Sequence, residues 1–79
     1  MIPIEFEQCN TVYAKDQPEY QPLPAYKSPS GTVVSCWELT EEDIQRIIRT
    51  RKLYISMLTF NQPLQPILPT TENPIGEQE

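Results

Sequence analysis

An α+β fold is expected for this 79-residue chain: a small three- or four-stranded, mainly antiparallel sheet with one α-helix and proline-rich extended arms. Three observations predict it. Residues 2–7, IPIEFE, alternate apolar and acidic with the period of two that marks a strand with one wet face. Residues 39–52, LTEEDIQRIIRTRK, set Ile44, Ile47 and Ile48 on a helical repeat behind a capping sequence. All nine prolines but Pro3 fall within residues 17–31 and 63–74, where they oppose both helix and interior strand.

The elements follow in chain order. Ile2, Ile4 and Phe6 share one face of the first strand, Glu5 and Glu7 the other, and Pro3 suggests a sheet edge. NTVYA, residues 10–14, reads as a second short strand or a turn. The segment QPEYQPLPAYKSPSG then runs to a turn at PSG, residues 29–31. TVVSCWEL, residues 32–39, is apolar on both faces and reads as one interior strand. Thr40 is the expected N-cap, with Asp43 three residues on completing a capping box. Leu39 is placed to staple onto Ile44. Glu41, Glu42 and Asp43 stand at the positive end of the helix dipole, and Arg46, Arg49, Arg51 and Lys52 lie toward its negative end. The narrow isoleucine stripe predicts a helix laid across one side of a sheet. LYISMLTF, residues 53–60, is apolar on both faces and is expected as a second interior strand. Pro63, Pro66 and Pro69 then recur every three residues, the repeat of a polyproline II edge.

One domain over residues 1–71 is expected, followed by a flexible acidic tail over 72–79. Two interior strands with apolar groups on both faces need two covers, and one helix supplies only one. Residues 17–26, with Tyr20, Leu23 and Tyr26, are expected to lie over the second face. Otherwise that face is an oligomer interface or a ligand pocket.

Composition narrows the chemistry. A formal net charge of −5 gives no general attraction to a phosphate backbone. The absence of histidine removes the commonest general base and the commonest metal ligand. Two cysteines, Cys9 and Cys36, are too few for a zinc cluster. No signal peptide and no membrane span are read in the chain, so a cytosolic protein with reduced thiols is expected, a Cys9–Cys36 disulfide being the alternative. Ser35, Cys36 and Ser56 have no histidine to activate them, and two glycines make no phosphate loop. No enzyme, cofactor or metal site is expected.

Binding is the chemistry left. Trp37 is expected in the core, with a stacking platform as the alternative. The basic cluster around Arg46 and Arg49 suits an acidic partner or a phosphorylated small molecule, or is a solvated helix end. Asn61 and Gln62, with Gln17, offer uncharged amides to a nucleobase or peptide edge, and Tyr20 stands on the proline segment. Gln17, Tyr20, Trp37, Arg46, Arg49, Asn61 and Gln62 are therefore the candidate ligand- or partner-binding residues. The PLQP stretch is a bare PxxP pattern with no flanking arginine.

The block GTVVSCWELTEEDIQRIIRTRKLYISMLTFNQPLQP, preceded by NTVYAKDQPEYQPLPAY, resembles a group of small proteins encoded in tailed-phage and prophage genomes. The likeness lies in an SCWxL strand end, a helix with arginines at its C-terminal end, an apolar strand and a glutamine–proline exit. It covers roughly residues 10–69. Arg51 stands where a glycine C-cap is expected, which suggests that the helix runs directly into the next strand. The resemblance implies a phage origin and a role in the cytoplasm of the infected bacterial host, or in the virion. It carries over no catalytic residue. The expected function is a non-enzymatic accessory protein that binds and neutralises a host component, either a defence protein or a nucleotide-like immune signal. The alternative is a virion or assembly component. Homo-oligomers are compatible with both; membrane and direct nucleic-acid binding are not expected.

Overall fold

The computed structural model describes residues 1–75. Its elements are β1 (Ile2–Ile4), β2 (Thr11–Tyr13), β3 (Leu23–Lys27), β4 (Val33–Val34), β5 (Cys36–Glu38) and α1 (Glu41–Thr50). The strands form two antiparallel sheets, β1–β5 and β2–β3–β4. The α+β class is as expected, with the strands divided between two small sheets and one helix.

The proline segment is where expectation and structure part first. Residues 23–27 are not a separate cover: they are β3, the middle strand of the larger sheet, which also lies against β1, and residues 17–22 are exposed. Pro24 is tolerated there for a local reason. The Ala25 carbonyl accepts from the Asn10 N–H at 3.0 Å, so Ala25 faces β2 and the Pro24 nitrogen faces away from it. On that far side β4 pairs only with Tyr26 and Lys27, so no partner meets the missing donor. Asn10 continues the pairing with its side chain: Oδ1 accepts from the Lys27 N–H at 2.8 Å and Nδ2 donates to the Lys27 carbonyl at 3.0 Å. Ala25 and Tyr26 are buried, and Ile75 joins them at 7% exposure. Ile75 belongs to the stretch expected as a tail; the end of that stretch, 76–79, lies outside the described residues.

The β3–β4 connection forms at the expected PSG turn. The Ser28 N–H donates to the Thr32 carbonyl at 2.8 Å, and Gly31 donates to the Ser28 carbonyl at 3.0 Å. Gly31 has φ 96°, open to glycine at little steric cost. The buried Ser28 hydroxyl is satisfied by the Thr32 N–H and by Ser30 Oγ, each at 2.9 Å.

Residues 32–39 do not make one interior strand. They break at Ser35 into β4, which pairs with β3, and β5, which pairs with β1. A continuous apolar run cannot tell one strand from two that serve different sheets. Trp37, expected in the core, is 45% exposed. Its register partner is Pro3, and its indole N–H donates to Ser35 Oγ at 2.9 Å.

The helix begins as its sequence requires. Thr40 Oγ1 accepts from the Asp43 N–H at 3.0 Å, and Asp43 Oδ2 accepts from the Thr40 N–H at 2.9 Å, a complete capping box. At the other end Arg51 takes the left-handed conformation, φ 56° and ψ 32°, and its N–H donates to the Ile47 carbonyl at 2.7 Å. The helix therefore ends in a left-handed cap made by an arginine and does not run directly into a strand. Its apolar stripe is not packed across a sheet. No helix residue is buried, and Ile48 is 66% exposed.

Residues 53–60, expected as a second interior strand, form no strand. The chain turns back at residues 59–62. Phe60 and Asn61 both have positive φ, 54° and 63°, and Gln62 N–H donates to the Thr59 carbonyl at 3.0 Å, the features of a type I′ hairpin turn. Yet no ladder joins the two limbs. Pro63, Pro66 and Pro69 remove a donor at every third position of the returning limb. Two-sided apolarity marks a segment that can be an interior strand; it does not supply the neighbours.

Candidate functional site

The seven residues nominated from sequence do not converge. Gln17 and Tyr20 share a turn in which Tyr20 N–H donates to the Gln17 carbonyl at 3.0 Å. Asn61 and Gln62 share the type I′ turn. Trp37 stands on β5, and Arg49 is exposed in the last turn of α1. Arg46 alone of the seven lines a cleft beside α1.

That cleft, about 330 Å³, lies between α1 and the chain that leaves it. Ile47, Thr50 and Leu53 line it together with Met1 and Asp43, and Arg46, Lys52 and Tyr54 add two cations and an aromatic ring. The αL cap at Arg51 creates this arrangement. Reversing the chain there brings residues 52–54 back beside the helix they follow. A second, larger hollow of about 460 Å³ is lined by Leu53, Pro69, Thr70, Thr71 and Glu72.

The charges around the cleft are partly compensated. Asp43 Oδ2 receives the Met1 α-ammonium at 2.7 Å in addition to the Thr40 N–H. The hydrogen bond from that ammonium, then those from the Thr40 backbone and hydroxyl, hold the Asp43 carboxyl down at about 2. Arg46 reaches Glu42 at 3.6 Å across one helical turn, with both side chains well exposed. Such a pair is weak and readily gives up its arginine to a better anion. Lys52 makes no ion pair among the described residues. Tyr54 is 85% exposed, so its ring face is open.

From sequence, Lys52 is legible only as part of a basic helix end, and Tyr54 only as a strand residue. The signal that could have found them is the stretch RKLY, residues 51–54, which sets an aromatic ring two residues after a lysine. Among the described residues no group of three or more histidine, cysteine or carboxylate side chains could hold a metal ion. Cys9 and Cys36 are both half-buried and in no disulfide, and Cys9 Sγ accepts from the Phe6 N–H at 3.4 Å. No described helix is long and apolar enough to cross a membrane. Compared with family models, with curated proteins and with solved structures, the chain matches none.

Proposed function

We propose that the protein is a non-enzymatic phage accessory protein that acts in the infected bacterial cytoplasm by binding and neutralising a host component. Of the two target classes, a nucleotide-like immune signal suits the cleft better than a defence protein. One observation carries this: Arg46, Lys52 and Tyr54 line a single cleft with an apolar wall at Ile47 and Leu53. Two cations meet a phosphate, and an exposed ring offers a base a face to stack on. A volume of about 330 Å³ falls at the small end of ligand pockets, about 300–1,000 Å³, and fits one nucleotide unit. The resemblance to small phage proteins supports the setting, and the histidine-free composition supports binding over catalysis.

Native mass spectrometry of the full chain with a panel of linear and cyclic nucleotides, and with inorganic phosphate as control, tests the ligand. A retained nucleotide that is lost in the Arg46→Ala/Lys52→Ala variant supports the reading. No retention across the panel overturns it. The biological half is tested by plating a phage that lacks the gene: its efficiency should fall on hosts that carry a nucleotide-signalled defence and hold on hosts without one.

The second reading, a virion or assembly component, is favoured by the exposed limbs of residues 53–69, which neighbouring subunits would order. Mass spectrometry of purified particles separates the two. A stoichiometric copy number in the particle supports assembly, and absence from the particle supports the accessory role.

A further inference from the structure

The limb of residues 53–59 leaves α1 with its backbone unpaired. Among the described residues, one backbone hydrogen bond is made within 53–69, the turn bond between Gln62 and Thr59. Its side chains are apolar on both sides, and Tyr54 and Leu58 are 85% and 68% exposed. An extended apolar segment with free N–H and C=O groups has the chemistry of a strand that adds to a sheet.

The same chain carries a sheet that lacks strands. β1 and β5 are three residues each and pair only with one another; β1 also lies against β3, so among the described residues the edge of β5 away from β1 is the one that no strand meets. Two strands alone are marginal in water, and a third is the usual remedy.

Area and charge identify the occupant. The chain exposes 7192 Å². A folded monomer of its 9.2 kDa mass exposes about 4,900 Å². The excess, roughly 2,300 Å² per chain and so about 4,600 Å² over a pair, falls within the range of about 2,000–5,000 Å² in total that obligate homo-oligomers bury. Charge is segregated along the chain in a self-complementary way. Residues 1–43 hold eight carboxylate side chains and two lysines, whereas residues 44–71 hold four cationic side chains and no carboxylate. The limb starts directly after Arg51 and Lys52, while the acceptor sheet carries Glu38 at the end of β5 and Glu5 just beyond β1.

We infer that residues 53–59 pair as a β-strand with the β1–β5 sheet of a second copy of this chain. Each chain then carries one donor limb and one acceptor sheet, so the exchange closes as a two-fold dimer or runs round a ring. The inference rests on the backbone of the limb and not on what the cleft binds, although Leu53 and Tyr54 belong to both.

Native mass spectrometry of the full chain at micromolar concentration should show a dimer or larger closed assembly. Ile55→Asp with Met57→Asp, and separately Ser56→Pro, should each abolish it. The wild type supplies a test that needs no folded variant. Mixing isotope-labelled and unlabelled chains and joining amines to carboxylates with a carbodiimide should link Lys52 of one chain to Glu5, Glu7 or Glu38 of the other. A monomer mass would overturn the inference and leave the limb to a foreign partner. Links confined to single chains would overturn it in favour of a limb folded onto its own sheet. An assembly that survives all of these substitutions would overturn it by placing the interface elsewhere.

Discussion

Two residues of α1 carry consequences that their surroundings do not share. Asp43 closes the capping box and meets the chain's α-ammonium, and its carboxyl is held at about 2. A folded-state value below the ordinary 3.8 means that the ionised form is favoured by folding. That stability is complete above the ordinary value and is lost as pH falls through the folded one. Thermal melts of the wild type should therefore drop between about pH 4 and pH 2, and Asp43→Asn should flatten that window. A wild-type acid limb unchanged in Asp43→Asn would show that the contact adds nothing. Arg51 is the other case. A non-glycine residue in the left-handed region is strained by about 1 kcal/mol, partly offset by the chain entropy that glycine would lose. Arg51→Gly should leave stability equal or raised by up to about 1 kcal/mol. A clear loss in urea titration would mean that the arginine side chain itself holds the cleft.

At the scale of elements, helix and sheet are secured in different ways. The helix stands on its own termini: a capping box, acids in the first turn, an arginine in the last turn and an αL stop. Its isoleucine stripe contributes little within one chain, because no helix residue is buried. Ile48→Ala should cost no more than about 0.5 kcal/mol, as at other open surface positions, where a buried isoleucine would lose 2–5. Urea midpoints read this directly, and a loss of the larger size would mean that Ile48 is covered in solution. β3 is secured by the reverse logic. Its own residues include a proline and little strand signal, but it has neighbours on both sides and the Asn10 side chain bonded to its end.

For the molecule as a whole, the core is small. Ala25, Tyr26 and Ile75 are its buried apolar residues among those described. A chain of this length buries only about 60% of its unfolded surface, so each of these matters out of proportion. Ile75→Ala should lose about 2–5 kcal/mol, close to the whole stability of so small a fold. Loss of a cooperative thermal transition is the expected reading; a transition unchanged from wild type would place Ile75 outside the core. The charge layout works at this scale too. Acids gather in the first 43 residues and cations between residues 44 and 71, a separation that a single small core does not require and that contact between chains can use.

Sequence alone determined what is decided within a few residues. The start of α1 depends on Thr40 and Asp43, three positions apart, and the β3–β4 turn on Ser28 to Thr32. The first strand was legible over Ile2–Ile4 because its alternation is local, although the pattern ran on to Glu7 and the chain instead turns at Phe6 to Cys9; the basic end of the helix marked Arg46 before any cleft was known. Tertiary structure decided everything that depends on a neighbour. Pro24 sits in a middle strand because β4 stops short of it. Residues 33–38 divide because two sheets each take half. Tyr54 faces the cleft because Arg51 reverses the chain. Residues 53–60 have the pattern of an interior strand and none of its bonds, since periodicity describes the faces a segment can bury, while pairing depends on which edge of which sheet is within reach.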